Sequence, residues 1–277
     1  MSISKSILLT AVLYTLASLL DLLILSLDGN LSLYPHIVGL SEILPYLITY
    51  CLFLLYFRTS RLDVSLEERP IPLSYVALLP ILILLAIGDH LIDLPFFEWR
   101  GLSNSYLGTS WQIPDYSNYR FSNLQLYSGF SALVVAPIFE EIFFRYYIFG
   151  GLLKRYNFRI AIFASSLLFS VIHIGSLENL RNVIPAFVFG IVSCLVYFRT
   201  KKILVSIILH FLTNAIWFAT VIFEKRYNDL VKEIGFGISF WILVLMGVMV
   251  LIVGIKKITT ANRRLAASLH TVGLADK

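Results

Sequence analysis

Apolar residues fall in eight runs, at about 7–27, 44–57, 73–92, 124–153, 160–174, 183–198, 203–223 and 236–255, with most charged residues gathered between them. A helix needs about 20 mainly apolar residues to cross a bilayer, and most of these runs reach or approach that length. The fifth is short and is expected to continue through Gly175 or beyond. The first follows Lys5 in the manner of a signal peptide, but it runs long and lacks a small-x-small cleavage site, so it reads as an uncleaved span. The pattern predicts an all-α polytopic membrane protein. About eight transmembrane helices form one bundle, a single integral membrane domain over residues 1–277.

Composition sharpens this. Hydrophobic residues make up 58% of the chain and charged residues 14%, against about 25% charged in a soluble domain. The net charge of +5 therefore reports orientation first, and no nucleic-acid partner is expected. Eight alternating spans put Lys5, Arg58, Arg61, Arg69, Lys154, Arg155, Arg159, Arg199, Lys201, Lys202, Lys256, Lys257, Arg263, Arg264 and Lys277 on the side of the termini. The other side holds Arg100, Arg120, Arg181, Lys225, Arg226 and Lys232, and Arg145 stays inside. Basic residues mark the cytoplasmic face, so both termini are expected there. The outer segment 95–123, with Trp99 and Trp111, suits either the membrane interface or a plain loop, and the tail 261–274 could lie on anionic lipid as a short amphipathic helix. Cys51 and Cys194 both sit in apolar runs and make neither a disulfide framework nor a metal motif.

Chemistry enters where the apolar pattern is broken. The fourth run contains Glu140, Glu141 and Arg145, the fifth Phe169 and His173, the seventh His210 and Asn214. A charge at mid-membrane costs about 2.5–3.5 kcal/mol on insertion scales. Glu141 and Arg145 are four apart and can pair on one face; Glu140 points about 100° away, toward something else. Counting about 1.5 Å per residue from the basic helix ends places Glu140 and His173 about 21 Å deep, Asn214 about 18 Å and His210 about 12 Å. One slab of the membrane thus holds them all. Asp21, Asp89 and His90 are further polar residues in apolar runs, read as structural or near a membrane surface.

Several intramembrane hydrolase patterns are absent. No HExxH zinc motif occurs, and Leu27-Asp28-Gly29 is only a weak echo of the second site-2-protease element. Gly129-Phe130-Ser131-Ala132 lacks the second glycine of a rhomboid serine loop, and Ala86-Ile87-Gly88-Asp89 lacks the first glycine of a presenilin-like aspartyl motif. EExxxR (Glu140, Glu141, Arg145), FxxxH (Phe169, His173) and HxxxN (His210, Asn214), in this order on separate spans, do resemble the CPBP family. Its members are the CAAX-processing Rce1-type proteases and the bacteriocin-immunity proteins also called Abi. The resemblance covers about 124–222, and no defining motif position departs from it. It implies a helical fold with a conical intramembrane cavity open to the cytosol. It also implies that Glu140 and His173 activate water and that His210 and Asn214 stabilise the oxyanion; the family admits both a metal-dependent and a metal-free account, and our expectation is that no cofactor is required.

The residues make that chemistry coherent. An apolar site makes a carboxylate a better base, so Glu140 could take a proton from water while His173 holds it. Asn214 and neutral or protonated His210 could then donate to the oxyanion. The Glu141–Arg145 ion pair would fix the helix, with Phe169 supporting the motif. The competing account is metalloprotease-like, with zinc held by Glu140, His173 and His210; the metal-free version is preferred. The expected function is an intramembrane endopeptidase acting on a membrane-embedded or lipid-modified peptide, with the bilayer as its other partner. The alternatives are a non-catalytic immunity or scaffold protein and a proton-coupled transporter, which buried Glu and His could also build.

Overall fold

The computed structural model describes residues 1–26, 40–41, 43–59, 75–98, 102–103, 123–174 and 182–275. No strand occurs among them. The helices are α1 (Ile3–Ser26), α2 (Leu44–Thr59), α3 (Tyr75–Phe97), α4 (Asn123 to Leu153 in consecutive segments), α5 (Phe158–Val171), α6 (Val183–Thr200), α7 (Ile203–Ile222), α8 (Glu224–Ile234) and α9 (Ile238–Ala275). Six are long and apolar enough to cross a membrane; α2 and α5 are shorter apolar helices. The eight apolar runs therefore become eight helices, six of full length.

Close contacts give the helix directions. Gly88 of α3 faces Gly247 of α9, and Leu85 faces Gly254, so these two run antiparallel. A Cβ at Gly247 would stand 2.8 Å from both the Gly88 carbonyl oxygen and Leu91 Cβ, so glycine is what lets the backbones approach. Phe169 packs on Phe189 and Phe158 on Phe198, which makes α5 and α6 antiparallel. Tyr50 stacks on Phe139 and Phe53 meets Tyr147, so α2 runs parallel to α4. The Met1 ammonium donates to the Gly151 carbonyl at the end of α4. These contacts gather Met1, Lys154, Arg155, Lys201 and Lys202 at one end of the bundle. With 56% of its span buried against 11% for α1, α6 is central and α1 peripheral.

Three sequence expectations change. The fifth run does not continue as helix: α5 ends at Val171, and His173 sits in the turn that follows. The tail 261–274 is no separate helix, since the backbone is one helix from Ile238 to Ala275. A further helix, α8, joins α7 to α9 with Tyr227, Leu230, Val231 and Ile234 at amphipathic spacing. Ile234 packs on Leu94, Leu102 and Phe240, closing the end of the bundle away from the basic cluster. The expected outer segment 95–123 lies largely outside the described residues, as do Gly175, Arg181 and the side chains of Arg58, Arg61, Arg69, Arg263 and Arg264.

Candidate active site

The site is built on irregularities of α4. Two π-helical segments, Ser131–Val135 and Ile142–Phe149, flank Ala136–Glu141. In the first, the Ala136 N–H reaches back to the Ser131 carbonyl. The Ala132 carbonyl would next accept from residue 137, but that is a proline with no N–H to give. Asn214 of α7 supplies the missing donor, its Nδ2 standing 2.7 Å from Ala132 O. In the second π segment, Ser165 Oγ of α5 donates to the Phe144 carbonyl at 2.9 Å. Neighbouring helices thus dock by completing the backbone hydrogen bonding of α4.

Glu140 and Glu141 face different partners, as their spacing predicts. Glu141, fully buried, lies 3.1 Å from Arg145 Nε through Oε2. The same oxygen accepts from Ser193 Oγ of α6 at 2.6 Å, and Oε1 lies 3.0 Å from His210 Nδ1 of α7. It is a four-part node joining three helices, not a pair within one. The Arg145 guanidinium lies over the Phe169 ring at 4.4 Å, a cation–π contact that explains the aromatic of the FxxxH motif. The same ring lies tilted against His173, with centroids 4.5 Å apart.

Glu140 is the opposite case. It is 3% exposed, and its Oε2 has no hydrogen-bond partner. His173 Nε2 lies 4.0 Å from that oxygen. The other ring nitrogen, Nδ1, is 2.7 Å from the Phe169 carbonyl. That carbonyl is available because α5 has ended: the His173 N–H bonds Ser170 O instead. A carbonyl only accepts, so Nδ1 carries the proton, and Nε2 of the neutral ring presents a lone pair toward Glu140. His210 is fixed likewise, its Nδ1 donating to Glu141. This corrects one expectation: neutral His210 has no donor left for an oxyanion, and only the doubly protonated ring has one. Asn214 keeps its second amide N–H for the cavity.

A cavity of about 380 Å³ is lined by His173, His210 and Asn214 together with Phe169. Glu140 stands behind His173 and does not line it. Asp89, Asp93 and Thr213 do. Asp89, expected to be structural or near a membrane surface, thus lies on the cavity wall, and Asp93 joins it without a sequence expectation; their i, i+4 spacing is the signal the sequence carries. Asp21 and His90 stay partly buried outside the cavity lining. The lining is drawn from the ends of α3, α5, α6 and α7 that lie away from the basic cluster.

Nδ1 contacts of this kind also suit metal-binding imidazoles. Yet among the described residues no three His, Cys, Asp or Glu side chains converge at metal-binding spacing. Glu140, His173 and His210 do not form a ready zinc site.

Residues 122–216 match the family profile described as type II CAAX prenyl endopeptidase Rce1-like. A protein of Bacillus subtilis (strain 168) named "Putative membrane peptidase YdiL" is 37% identical over 81 residues, which is 29% of this chain and 32% of that protein. The matched region thus spans about a third of this curated relative's length. No solved structure matches the chain.

Proposed function

We propose, from the premise that residues 122–216 belong to the CPBP/Rce1-like family, that this membrane protein is a peptidase hydrolysing a bond in a membrane-associated peptide. The observation that carries the reading is the pairing of the buried Glu140 Oε2 on α4 with Nε2 of the half-exposed His173 in the turn after α5, 4.0 Å apart beside a cavity. That separation is too long for a direct hydrogen bond and fits a water roughly 2.8 Å from each. Glu140 takes one proton of this water, His173 Nε2 accepts a hydrogen bond from the other, and the oxygen lone pair attacks the peptide carbonyl. The oxyanion meets the free N–H of Asn214 and, when doubly protonated, His210. Glu140 then passes its proton to the leaving amine.

The substrate class that fits the family description is a lipid-modified, CAAX-type peptide; any membrane-embedded peptide serves the same chemistry. The Lys and Arg asymmetry favours cytoplasmic termini, which puts the cavity in the outer half of the membrane. A cysteine replacing Lys225 on α8 then reacts with an impermeant reagent added outside; labelling only after permeabilisation reverses the orientation.

The direct test is a defined peptide library offered to purified protein, with and without exhaustive chelation. Hydrolysis is expected to survive chelation and to vanish in Glu140→Gln. Zinc that leaves and returns in step with activity would overturn the metal-free reading. Wild-type turnover by Glu140→Gln would overturn the site.

A further inference from the structure

The cavity wall opposite this chemistry holds two carboxyls that the proposed reaction does not use. Asp89 and Asp93 are one turn apart on α3, 1% and 5% exposed. Both line the cavity that His173, His210 and Asn214 share. Asp89 Oδ1, Asp89 Oδ2 and Asp93 Oδ1 have no hydrogen-bond partner. Burying a carboxylate without a partner is among the costlier things a fold can do. The α3–α9 glycine contact holds them there, since Gly88 adjoins Asp89 in sequence and fits against Gly247.

Among the described residues, no lysine or arginine lines this cavity. Arg145, the nearest candidate in the motif region, is buried against Glu141 and Phe169. A cationic ligand would bring these carboxyls the partner that the described residues do not supply. The two carboxyls have acceptor capacity to spare for the N–H donors of a primary ammonium. Phe97 and Trp217 line the same cavity and are aromatic side chains of the kind that attract a cation. A metal ion is the poorer occupant, because no third His, Cys, Asp or Glu among the described residues joins the pair at metal-binding spacing.

We infer that Asp89 and Asp93 form a specificity subsite for a primary ammonium of the substrate, a lysine side chain or a free α-amino group. The inference rests on the proposed peptidase reading in one respect only: the cavity receives a peptide. The subsite selects substrates whose cation is held while the scissile carbonyl sits by His210 and Asn214.

The test uses purified full-length protein and matched apolar peptides, either acetylated or free at the N-terminus, each carrying one lysine or one norleucine. In wild type, kcat/KM is expected to favour ammonium-bearing peptides by about tenfold to a hundredfold, the range of a charge-assisted hydrogen bond. In Asp89→Asn/Asp93→Asn that ratio collapses toward one. The ratio is taken within one protein, so partial loss of folded enzyme does not move it. Acetylated lysine against acetylated norleucine reports the side chain, and free against acetylated norleucine reports the α-amine. Binding of the same peptides to the Glu140→Gln protein, read as a shift in thermal unfolding, gives the answer without turnover. Ammonium-dependent binding that needs Asp89 and Asp93 upholds the subsite even if no peptide is cleaved, which would sink the peptidase reading alone. Equal cleavage and equal binding of ammonium-bearing and neutral peptides by wild type overturns the subsite and leaves the peptidase reading standing.

Discussion

Glu141 and the Asp89–Asp93 pair are carboxyls buried to almost the same degree in one bundle, and they live in opposite circumstances. Glu141 meets Arg145, Ser193 and His210. Three of the four oxygens of the aspartates meet nothing. A buried polar group that is fully matched specifies how helices meet; one left unmatched is costly unless something else completes it. Glu140 belongs with the unmatched group. The comparison separates the architecture of this site from its chemistry more sharply than the motif does, since the motif places Glu140 and Glu141 side by side.

The largest effect that would break the comparison is on turnover. Glu140→Gln is expected to lower peptide hydrolysis by about 10²–10⁴-fold, the usual contribution of a general base. Its unfolding temperature in detergent should stay near wild type, because no hydrogen bond to Oε2 is lost. A strongly destabilised Glu140→Gln would place Glu140 with Glu141 as architecture.

Glu141→Ala should show the reverse split. It strands Arg145 and frees His210 Nδ1, so a stability loss of about 3–5 kcal/mol is expected from detergent-phase unfolding. Adding Arg145→Met should recover part of that loss, and additive losses would mean the two side chains are not coupled.

Asn214 stands between the two classes, with one N–H on Ala132 O and one free. Asn214→Ala should reduce kcat by about 10²–10³ with little change in KM. It should also cost about 1 kcal/mol of stability for the lost backbone contact. An unchanged kcat would confine Asn214 to the repair of α4.

The smallest effect concerns a carboxyl at the edge of the bundle. Burial raises the Glu98 carboxyl above its ordinary 4.5, and a hydrogen bond with Tyr227 of α8 only partly counters this. The folded protein therefore binds the Glu98 proton more tightly than the unfolded chain does. Stability from this group is full below about pH 4.5 and falls as pH rises through the raised value. Glu98→Gln should flatten that part of a stability–pH curve, and an identical curve would remove Glu98 from the α3–α8 contact.

The sequence by itself determined what hydrophobicity and spacing can fix. Eight apolar runs gave eight helices because a bilayer leaves the backbone few other ways to satisfy its hydrogen bonds. The motif residues could be picked out because charges and histidines are costly in such runs, and the one-residue offset of Glu140 from Glu141 did send them to different partners. Spacing along one helix could show Arg145 beside Glu141, but not Ser193 and His210 arriving from α6 and α7. The π segments were hidden as well, so nothing in the sequence said that Pro137 would leave the Ala132 carbonyl for Asn214. The end of α5 at Val171, which frees the Phe169 carbonyl and fixes the proton of His173, was equally out of reach. Asp89 and Asp93 were visible as letters, yet their place on the cavity wall follows from α3 meeting α9 at Gly88 and Gly247. Partners far apart in the chain are chosen by packing, and only the folded bundle brings them within hydrogen-bonding distance.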